Sequence, residues 1–439
     1  MTSTMGLMFI GLFGMVLLNV PIAVALGMVA VIAIWATQGA DMLPNVALVM
    51  FEGATNFPLL AIPLFILAGG IMNSSSISRR LINLASAMLG FVRGGLAMVT
   101  IGSSMFFAEI SGSAVAGVAA LGSLLIPAMK SRGYSKEFAA AISSSSASLA
   151  IILPPSIPMI LYAVMAQVSV VKMFISGLLP GLLGGAGLAL ASWYYAVKND
   201  FPVEQRFAWS RLVTAFREAL WALMLPVVIL GGIFGGFVTA TEGAAVAVCA
   251  ALFISVVVYR ELDFKALYRA LVDGALQTAV VMLLVASSAL VGVFLTESRV
   301  PQALASSIAE LTTNPYLVLL LLNVLFLILG MFLHSAAAII LTVPIVLPLI
   351  QQVGIDPVHF GLVLTLNLAI GQQTPPVASV LIAACSIAKS DIWQTTKANV
   401  GFLFVLLVVL MICTYVPWFA LAPTQWFYGD PSIGAMPVN

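Results

Sequence analysis

Long apolar stretches are the feature of this sequence that most limits what it can fold into. A helix that crosses a bilayer needs about 20 apolar residues, and its backbone polar groups must be satisfied within the segment. Apolar runs lie roughly at 5–36, 44–72, 95–129, 138–166, 172–197, 219–258, 274–296, 316–350, 358–388 and 398–423. Pro or Gly divides several of the longer runs. The pattern predicts an all-α polytopic membrane protein with about ten to twelve crossings.

The low content of charged residues supports the same class. Of the 439 residues, 62% are hydrophobic and only 8% are charged. A soluble domain carries about 25% charged residues, so most of this surface is expected to face lipid. The net charge of +1 argues against a nucleic-acid partner.

The two halves of the sequence share a pattern of prolines and a glycine. The first half has Pro127, Gly133 and the pair Pro154–Pro155, and the second has Pro348, Gly354 and the pair Pro375–Pro376. All four positions recur at a shift of 221 residues. Internal duplication with interrupted helices at matching places is typical of secondary transporters. We therefore predict two inverted repeats, 1–215 and 216–423, followed by a polar tail at 424–439.

Each double proline should break a membrane helix. Proline has no N–H, so it leaves the carbonyl four residues earlier without its helical partner. The carbonyls released in this way are those of Ala150, Ile151, Gly371 and Gln372. Bare carbonyls at membrane depth are tolerated only beside protein partners or a polar cavity. They suit a hard cation such as sodium. The alternative is a plain proline kink satisfied by Ser or Thr side chains.

An apolar run of about 35 residues precedes each break, at 95–129 and 316–350, which is short for two full spans with a turn. Each run fits a re-entrant helical hairpin whose tip faces a break. The centre of the first run reads EISGSA and that of the second reads GMFLHS, so that Ser113 aligns with His334 at the shift of 221. Small residues at such tips allow close approach of backbone and ligand.

Ionisable residues within apolar runs are functional candidates. Glu109 and His334 lie at the two predicted tips, and Glu242 lies in the sixth run. The alternatives are buried acids paired with a hydroxyl or a basic neighbour, and a histidine packed between hairpin and scaffold. Polar residues also gather at the second break. The candidate substrate contacts are therefore Ser113, His334, Ser335, Gln372 and Gln373.

Together these motifs resemble the large permease subunit of tripartite ATP-independent periplasmic (TRAP) transporters, the DctM type. The motifs are SGSAVAGVAALGSLLIPAMKSRGY, IILPPSIPMILY, GMFLHSAAAIILTVPIVLPL, GIDPVHFG and TPPV, and the resemblance extends over about 21–423. It implies an elevator-type transporter in the bacterial inner membrane, driven by a sodium gradient. It also implies a small four-helix membrane subunit, a periplasmic substrate-binding protein and a small carboxylate substrate.

The resemblance also implies two sodium sites. The first would be formed by Ser111, Ala150, Leu153 and Pro154, and the second by Gly330, Gly371, Thr374 and Val377. The chain departs from the family at position 334, where the family usually has an acid and this chain has His334. It also has Ala378 and Val380 after the second PPV, where Gly and Asn are common. Dicarboxylates, sugar acids, keto acids and sialic acids all stay open as substrates.

Two other functions compete with the tripartite transporter. One is a stand-alone sodium-coupled carrier of dicarboxylates or citrate that needs no partner protein. The other is a membrane-embedded enzyme. The sequence contains no GxGD, HExxH or DDxxD stretch and no Walker motif. We therefore predict that the chain is not an enzyme and needs no cofactor beyond sodium as the coupling ion.

Overall fold

The computed structural model describes residues 8, 10–12, 14–15, 18, 20–203, 206–299, 312 and 314–429, without the side chains of residues 109–111. This part of the chain consists of helices joined by short loops, with no β-strand. Within it, nine helices are long and apolar enough to cross a membrane, and four shorter helices are also apolar. These findings confirm the predicted all-α polytopic class.

In chain order the helices are α1 Ile22–Gln38, α2 Leu43–Ala54, α3 Phe57–Ser74, α4 Ile77–Leu89, α5 Gly95–Ser111, α6 Ala114–Ser131, α7 Lys136–Ala147, α8 Ile157–Met165 and α9 Val170–Lys198. They continue with α10 Trp209–Phe234, α11 Ala240–Val258, α12 Phe264–Glu297, α13 Pro315–Phe332, α14 Ser335–Gln352, α15 Pro357–Gly371, α16 Ser379–Ala388, α17 Ile392–Tyr415 and α18 Trp418–Tyr428. Side chains accept backbone N–H bonds at several of the starts, as at Ser135, Asp263 and Asp391. Such caps satisfy donors that the first helical turn leaves free.

The helices pack into two groups, and each half of the sequence contributes to both. In the first group, α12 lies along α1, α2 and α3, while α11 packs on α3 and α10 on α4. In the second group, α7 contacts α5, α16 and α17, and α13 packs on α15. The groups meet where α12 contacts α14 and where α3 and α4 contact α5. Each half therefore supplies, in the same order, helices of the first group, a hairpin and a broken helix.

Both expected hairpins are present as pairs of helices joined by tight turns. The pair α5 and α6 turns at Gly112, whose φ of 57° is in the left-handed region that glycine adopts without strain. The pair α13 and α14 turns at Leu333–His334. That each hairpin enters and leaves the membrane on one side stays a prediction, as do the repeat boundaries and the elevator motion.

Both double prolines interrupt a helix. The chain leaves helical geometry between the short 3₁₀ turn Ser148–Ile151 and α8, and again between α15 and α16. Both the Pro154–Pro155 and the Pro375–Pro376 peptide bonds are cis. The breaks thus lie where the sequence predicted them.

The carbonyls freed by the prolines are less bare than expected. The Ile151 carbonyl accepts a hydrogen bond from the Ser156 hydroxyl at 2.6 Å. The Gly371 carbonyl accepts the Thr374 N–H at 2.9 Å, and the Gln372 carbonyl accepts the Val380 N–H at 3.1 Å. Donors downstream of each proline pair take these carbonyls because the chain turns back tightly there. Of the four, only the Ala150 carbonyl accepts no hydrogen bond from the described residues.

Two further expectations need correction. Glu242 is an exposed side chain, whereas a buried acid was expected. It forms a capping box with Thr239 at the start of α11, accepting the Thr239 N–H at 2.8 Å. The polar tail does not begin at residue 424, because α18 continues to Tyr428 and Thr424 is buried. The rest of the predicted tail, 430–439, lies outside the described residues.

Candidate functional site

A cavity of about 350 Å³ lies where the two hairpin tips, the two breaks and the faces of α3 and α12 meet. Its polar lining consists of Ser113, Gln277, His334, Ser335 and Gln372. The structure therefore brings four of the five candidate substrate residues into one cavity, although they are far apart in sequence.

The aligned residues Ser113 and His334 occupy equivalent positions in the structure. Each is the N-cap of the second helix of its hairpin. The Ser113 hydroxyl accepts the Ala116 N–H at 3.4 Å, and His334 Nδ1 accepts the Ala336 N–H at 3.4 Å. Because Nδ1 is the acceptor, a neutral imidazole at this position carries its proton on Nε2. His334 is exposed and lines the cavity, so its ring can donate a hydrogen bond to a ligand there.

Three helices begin at the cavity wall. They are α6 with Ser113 and Ala114, α14 with His334 and Ser335, and α8 with Ile157. The N-terminus of a helix carries a partial positive charge and free N–H groups, which favour an anion. None of the described lining residues is Lys or Arg. Among the described lining residues, the three helix N-termini are therefore the groups that favour an anion through backbone dipoles.

Gln372 lines the same cavity and carries an unsatisfied donor. Its side chain is 1% exposed, and its Oε1 accepts the Ser379 hydroxyl at 3.3 Å. Its Nε2 has no hydrogen-bond partner among the described residues. A buried amide donor without an acceptor costs about 1–3 kcal/mol. A ligand oxygen in the cavity would remove that cost.

The residues of the second candidate cation site lie together. Gly330 of α13 packs directly on Gly371, so that a Cβ added to Gly371 would lie 2.6 Å from the Gly330 Cα. The Val377 N–H donates to the Met331 carbonyl at 3.1 Å, which joins the end of α13 to the break. Thr374 is half-buried, and its hydroxyl donates to the Ile370 carbonyl at 3.1 Å.

The first candidate cation site has a matching contact. A Cβ added to Gly112 would lie 2.9 Å from the Pro155 carbonyl oxygen, so the first tip lies against the first break. Ala150, Leu153 and Pro154 are buried beneath it. The side chain of Ser111, which was predicted for this site, and that of Glu109, which was predicted as a buried acid at the first tip, lie outside the described residues.

Gln373 is placed away from the cavity, although it was a candidate for substrate contact. Its Oε1 accepts the Ser145 hydroxyl at 2.7 Å, and Asn399 Nδ2 lies 3.4 Å from the same oxygen. All three side chains are fully buried. This network joins α7 to α17 across the second break.

The sequence analysis missed Gln277, which extends into the cavity from α12. It lies within the apolar run 274–296, away from the predicted hairpin tips and breaks where the uncharged polar candidates lie. A single uncharged polar residue in an apolar run indicates a functional site less strongly than an ionisable residue does.

Comparisons with known proteins agree with these features. Residues 9–419 match the family described as "Tripartite ATP-independent periplasmic transporter, DctM component". The chain is 44% identical to the isethionate TRAP transporter permease protein DctMQ of Oleidesulfovibrio alaskensis over 400 residues, which cover 91% of this chain and 63% of that protein. The chain thus spans less than two thirds of that relative.

Other relatives match along nearly their whole length. The C4-dicarboxylate TRAP transporter large permease protein DctM of Pseudomonas aeruginosa is 38% identical over 386 residues, which cover 88% of this chain and 90% of that protein. The 2,3-diketo-L-gulonate TRAP transporter large permease protein YiaN of Escherichia coli is 35% identical over 421 residues, with 96% and 99% covered. The crystal structure of the Alcanivorax borkumensis YdaH transporter superposes with a TM-score of 0.63 at 16% identity, covering 90% of this chain and 91% of that one. That likeness concerns the fold alone.

Proposed function

Because this chain belongs to the DctM family of tripartite ATP-independent periplasmic transporters, we propose that it imports a small organic acid in symport with sodium. A periplasmic binding protein delivers the acid, and a small membrane subunit completes the permease. Relatives carry the names of isethionate, C4-dicarboxylate and 2,3-diketo-L-gulonate transporters. All three names denote small acids.

The buried and unpartnered Nε2 of Gln372 is the observation that carries this proposal. Gln372 lines a cavity into which three helix N-termini open. A carboxylate there would accept from Gln372, from His334 Nε2 and from backbone N–H groups. Charge-assisted hydrogen bonds of this kind are shorter and stronger than neutral ones. A small organic anion fits this set of donors better than a sugar or a cation.

Sodium coupling is supported by the close packing of each hairpin on a broken helix. Gly330 meets Gly371 in one half, and Gly112 meets the Pro155 carbonyl in the other. A carbonyl oxygen has two lone pairs, so one that accepts a single N–H can still bind a cation. The two packing groups of helices would move relative to each other in an elevator cycle. The residues proposed for both cation sites belong to the second group.

The length of one relative supports the proposal that this chain works with partner subunits. The Oleidesulfovibrio alaskensis protein, named DctMQ, is longer than the part of it that this chain spans. A stand-alone carrier is the competing proposal. It predicts full uptake by the purified chain alone, whereas the tripartite proposal predicts none without the binding protein.

Uptake is expected only when sodium is higher outside than inside. Proteoliposomes containing this chain and its small subunit would be given the binding protein loaded with its own ligand. Labelled ligand should accumulate with an inward sodium gradient at least about tenfold over a potassium-only control, because a transporter obligately coupled to sodium cannot complete its cycle without the ion. Adding ATP should change nothing. Equal uptake in potassium would refute the sodium coupling.

Thr374→Val is expected to weaken the sodium dependence of uptake. The substitution removes a hydroxyl oxygen at the second break, and the loss should be about 1–3 kcal/mol if it resembles an unmet buried polar interaction. The half-saturating sodium concentration should then rise about fivefold or more. Thr396→Val is the matched control, because the Thr396 hydroxyl makes the same bond to the carbonyl four residues earlier, at 2.7 Å from the Ile392 oxygen. Equal sodium dependence in both variants would remove Thr374 from the cation site.

A further inference from the structure

A second, smaller cavity adjoins the one at the hairpin tips. It has a volume of about 180 Å³ and lies between α3, α12 and the first hairpin. Ile66, Ser113 and Gln277 line both cavities. A ligand whose carboxylate is held at the tips could therefore extend its other end towards this second space.

The two cavities differ in the charge of the side chains that line them. The smaller one is lined by Asp273, an exposed residue that forms no ion pair with any described basic side chain. Asn73 and Ser74, at the C-terminal end of α3, also line it. The C-terminus of a helix carries a partial negative charge. Anions are thus favoured at the tips and disfavoured in the adjoining cavity.

Asp273 lies one helical turn away from the cavity at the tips. Asp273 and Gln277 are four residues apart on α12, so both lie on one face of the helix, about 6 Å apart. Gln277 already lines the cavity at the tips. A group that extends past Gln277 therefore approaches the Asp273 carboxylate.

The remaining wall of the larger cavity offers no place for a second charge. Leu276, Val280 and Val281 of α12 and Ile66 of α3 form that wall. A carboxylate against apolar side chains loses its hydration without compensation. A second carboxylate would thus meet either an apolar wall or a like charge.

We propose that this permease selects organic acids with one negative group, and that Asp273 rejects a second one. The inference rests on the proposed function, since it takes the cavity at the tips as the carboxylate site. It narrows the substrate to a small monoanion whose far end is not negative. Selectivity of this kind depends on a repulsive element as well as on attractive contacts.

Three probes of equal chain length test the selection. They are butanoate, with a neutral far end, 4-aminobutanoate, with a cationic one, and succinate, with a second carboxylate. Binding of each to the purified membrane complex in sodium buffer would be measured by titration calorimetry. Succinate is expected to bind at least about tenfold more weakly than butanoate. Succinate that binds as tightly as butanoate, or no binding of any of the three, would overturn the proposal.

Asp273→Asn should change the binding affinities of the two charged probes in opposite directions. Succinate is expected to bind at least about fivefold more tightly and 4-aminobutanoate more weakly, with butanoate unchanged, because only the charge beside the far end is removed. Opposite shifts cannot come from partial unfolding. A common shift of all three probes would contradict the role of Asp273.

Two further variants separate this inference from the proposed function. Asp263→Asn removes the same charge from α12 but at its N-cap, where Asn also caps, and it should leave all three affinities within about twofold. Gln372→Met should weaken the binding of all three probes by a similar factor, because it removes the donor to the carboxylate that the probes share. Unchanged binding in Gln372→Met would count against the carboxylate site, whereas the ratio of succinate to butanoate reports on Asp273 alone.

Discussion

Gly371→Ala is expected to reduce uptake below about a tenth of the parent level. The added Cβ would lie 2.6 Å from the Cα of Gly330 and 2.7 Å from its carbonyl carbon. Carbon atoms in favourable contact are about 3.5–4.0 Å apart. Both neighbours are backbone atoms, so no side-chain rotation can relieve the overlap, and α13 must move away from the break. That movement would separate the residues proposed to bind the second sodium.

Overpacking of a well-packed site usually costs about 1–3 kcal/mol, so the variant should also melt at a lower temperature. The measurements are initial uptake rate, half-saturating sodium concentration and melting temperature at matched protein level. Gly231→Ala is the control, because a Cβ at Gly231 has no atom within 4 Å and the residue lies within α10. Alanine there should leave uptake unchanged. Parental uptake and sodium dependence in Gly371→Ala would mean that the Gly330–Gly371 contact is not required.

His334→Ala is expected to weaken substrate affinity about tenfold to a hundredfold, whereas His334→Asn should keep most of it. The imidazole caps α14 through Nδ1 and can donate through Nε2 to a ligand. Alanine removes both interactions. A hydrogen bond to a charged group contributes about 1.5–3 kcal/mol, which sets the expected loss. Asparagine keeps an acceptor for the cap and an N–H for the ligand.

A control separates the lost cap from the lost ligand contact. Asp391→Ala removes an N-cap on α17, where Asp391 Oδ1 accepts the Gln394 N–H at 2.9 Å, and Asp391 does not line the cavity. Losing a cap costs about 0.5–2 kcal/mol of stability. Both alanine variants should thus melt earlier, but only His334→Ala should change affinity in a binding titration. If affinity is unaltered in His334→Ala, the histidine is only a structural cap.

The sequence alone determined the class of fold and much of its plan. Apolar run length fixed the membrane-spanning class because lipid requires helices of about 20 residues. Proline chemistry located both breaks because a missing N–H acts on its own helix and needs no knowledge of the rest of the molecule. The alignment of Ser113 with His334 also followed from the repeat. Both residues proved to be N-caps at hairpin tips.

Local conformation decided several details that the sequence left open. Gln372 and Gln373 are adjacent, yet one lines the cavity and the other is bound to Ser145 and Asn399. Which of them faces the cavity depends on how the chain turns through the break, and no periodicity applies there. Glu242 was expected to be buried, but its side chain caps the start of its own helix. It does so because α11 begins just before Glu242, which places the residue in the first helical turn beside Thr239.

The chemical character of the cavity required the tertiary structure. Ser113, Gln277 and His334 come from three helices distant in sequence, and only packing brings them to one place. Asp273 lines the adjoining cavity for the same reason, although in the sequence it follows the basic residues Lys265 and Arg269 of α12. Hydropathy and proline spacing depend on neighbours along the chain, so they could predict helices and breaks. The sign of the potential around a ligand depends on neighbours in space, and only the packed helices determine those.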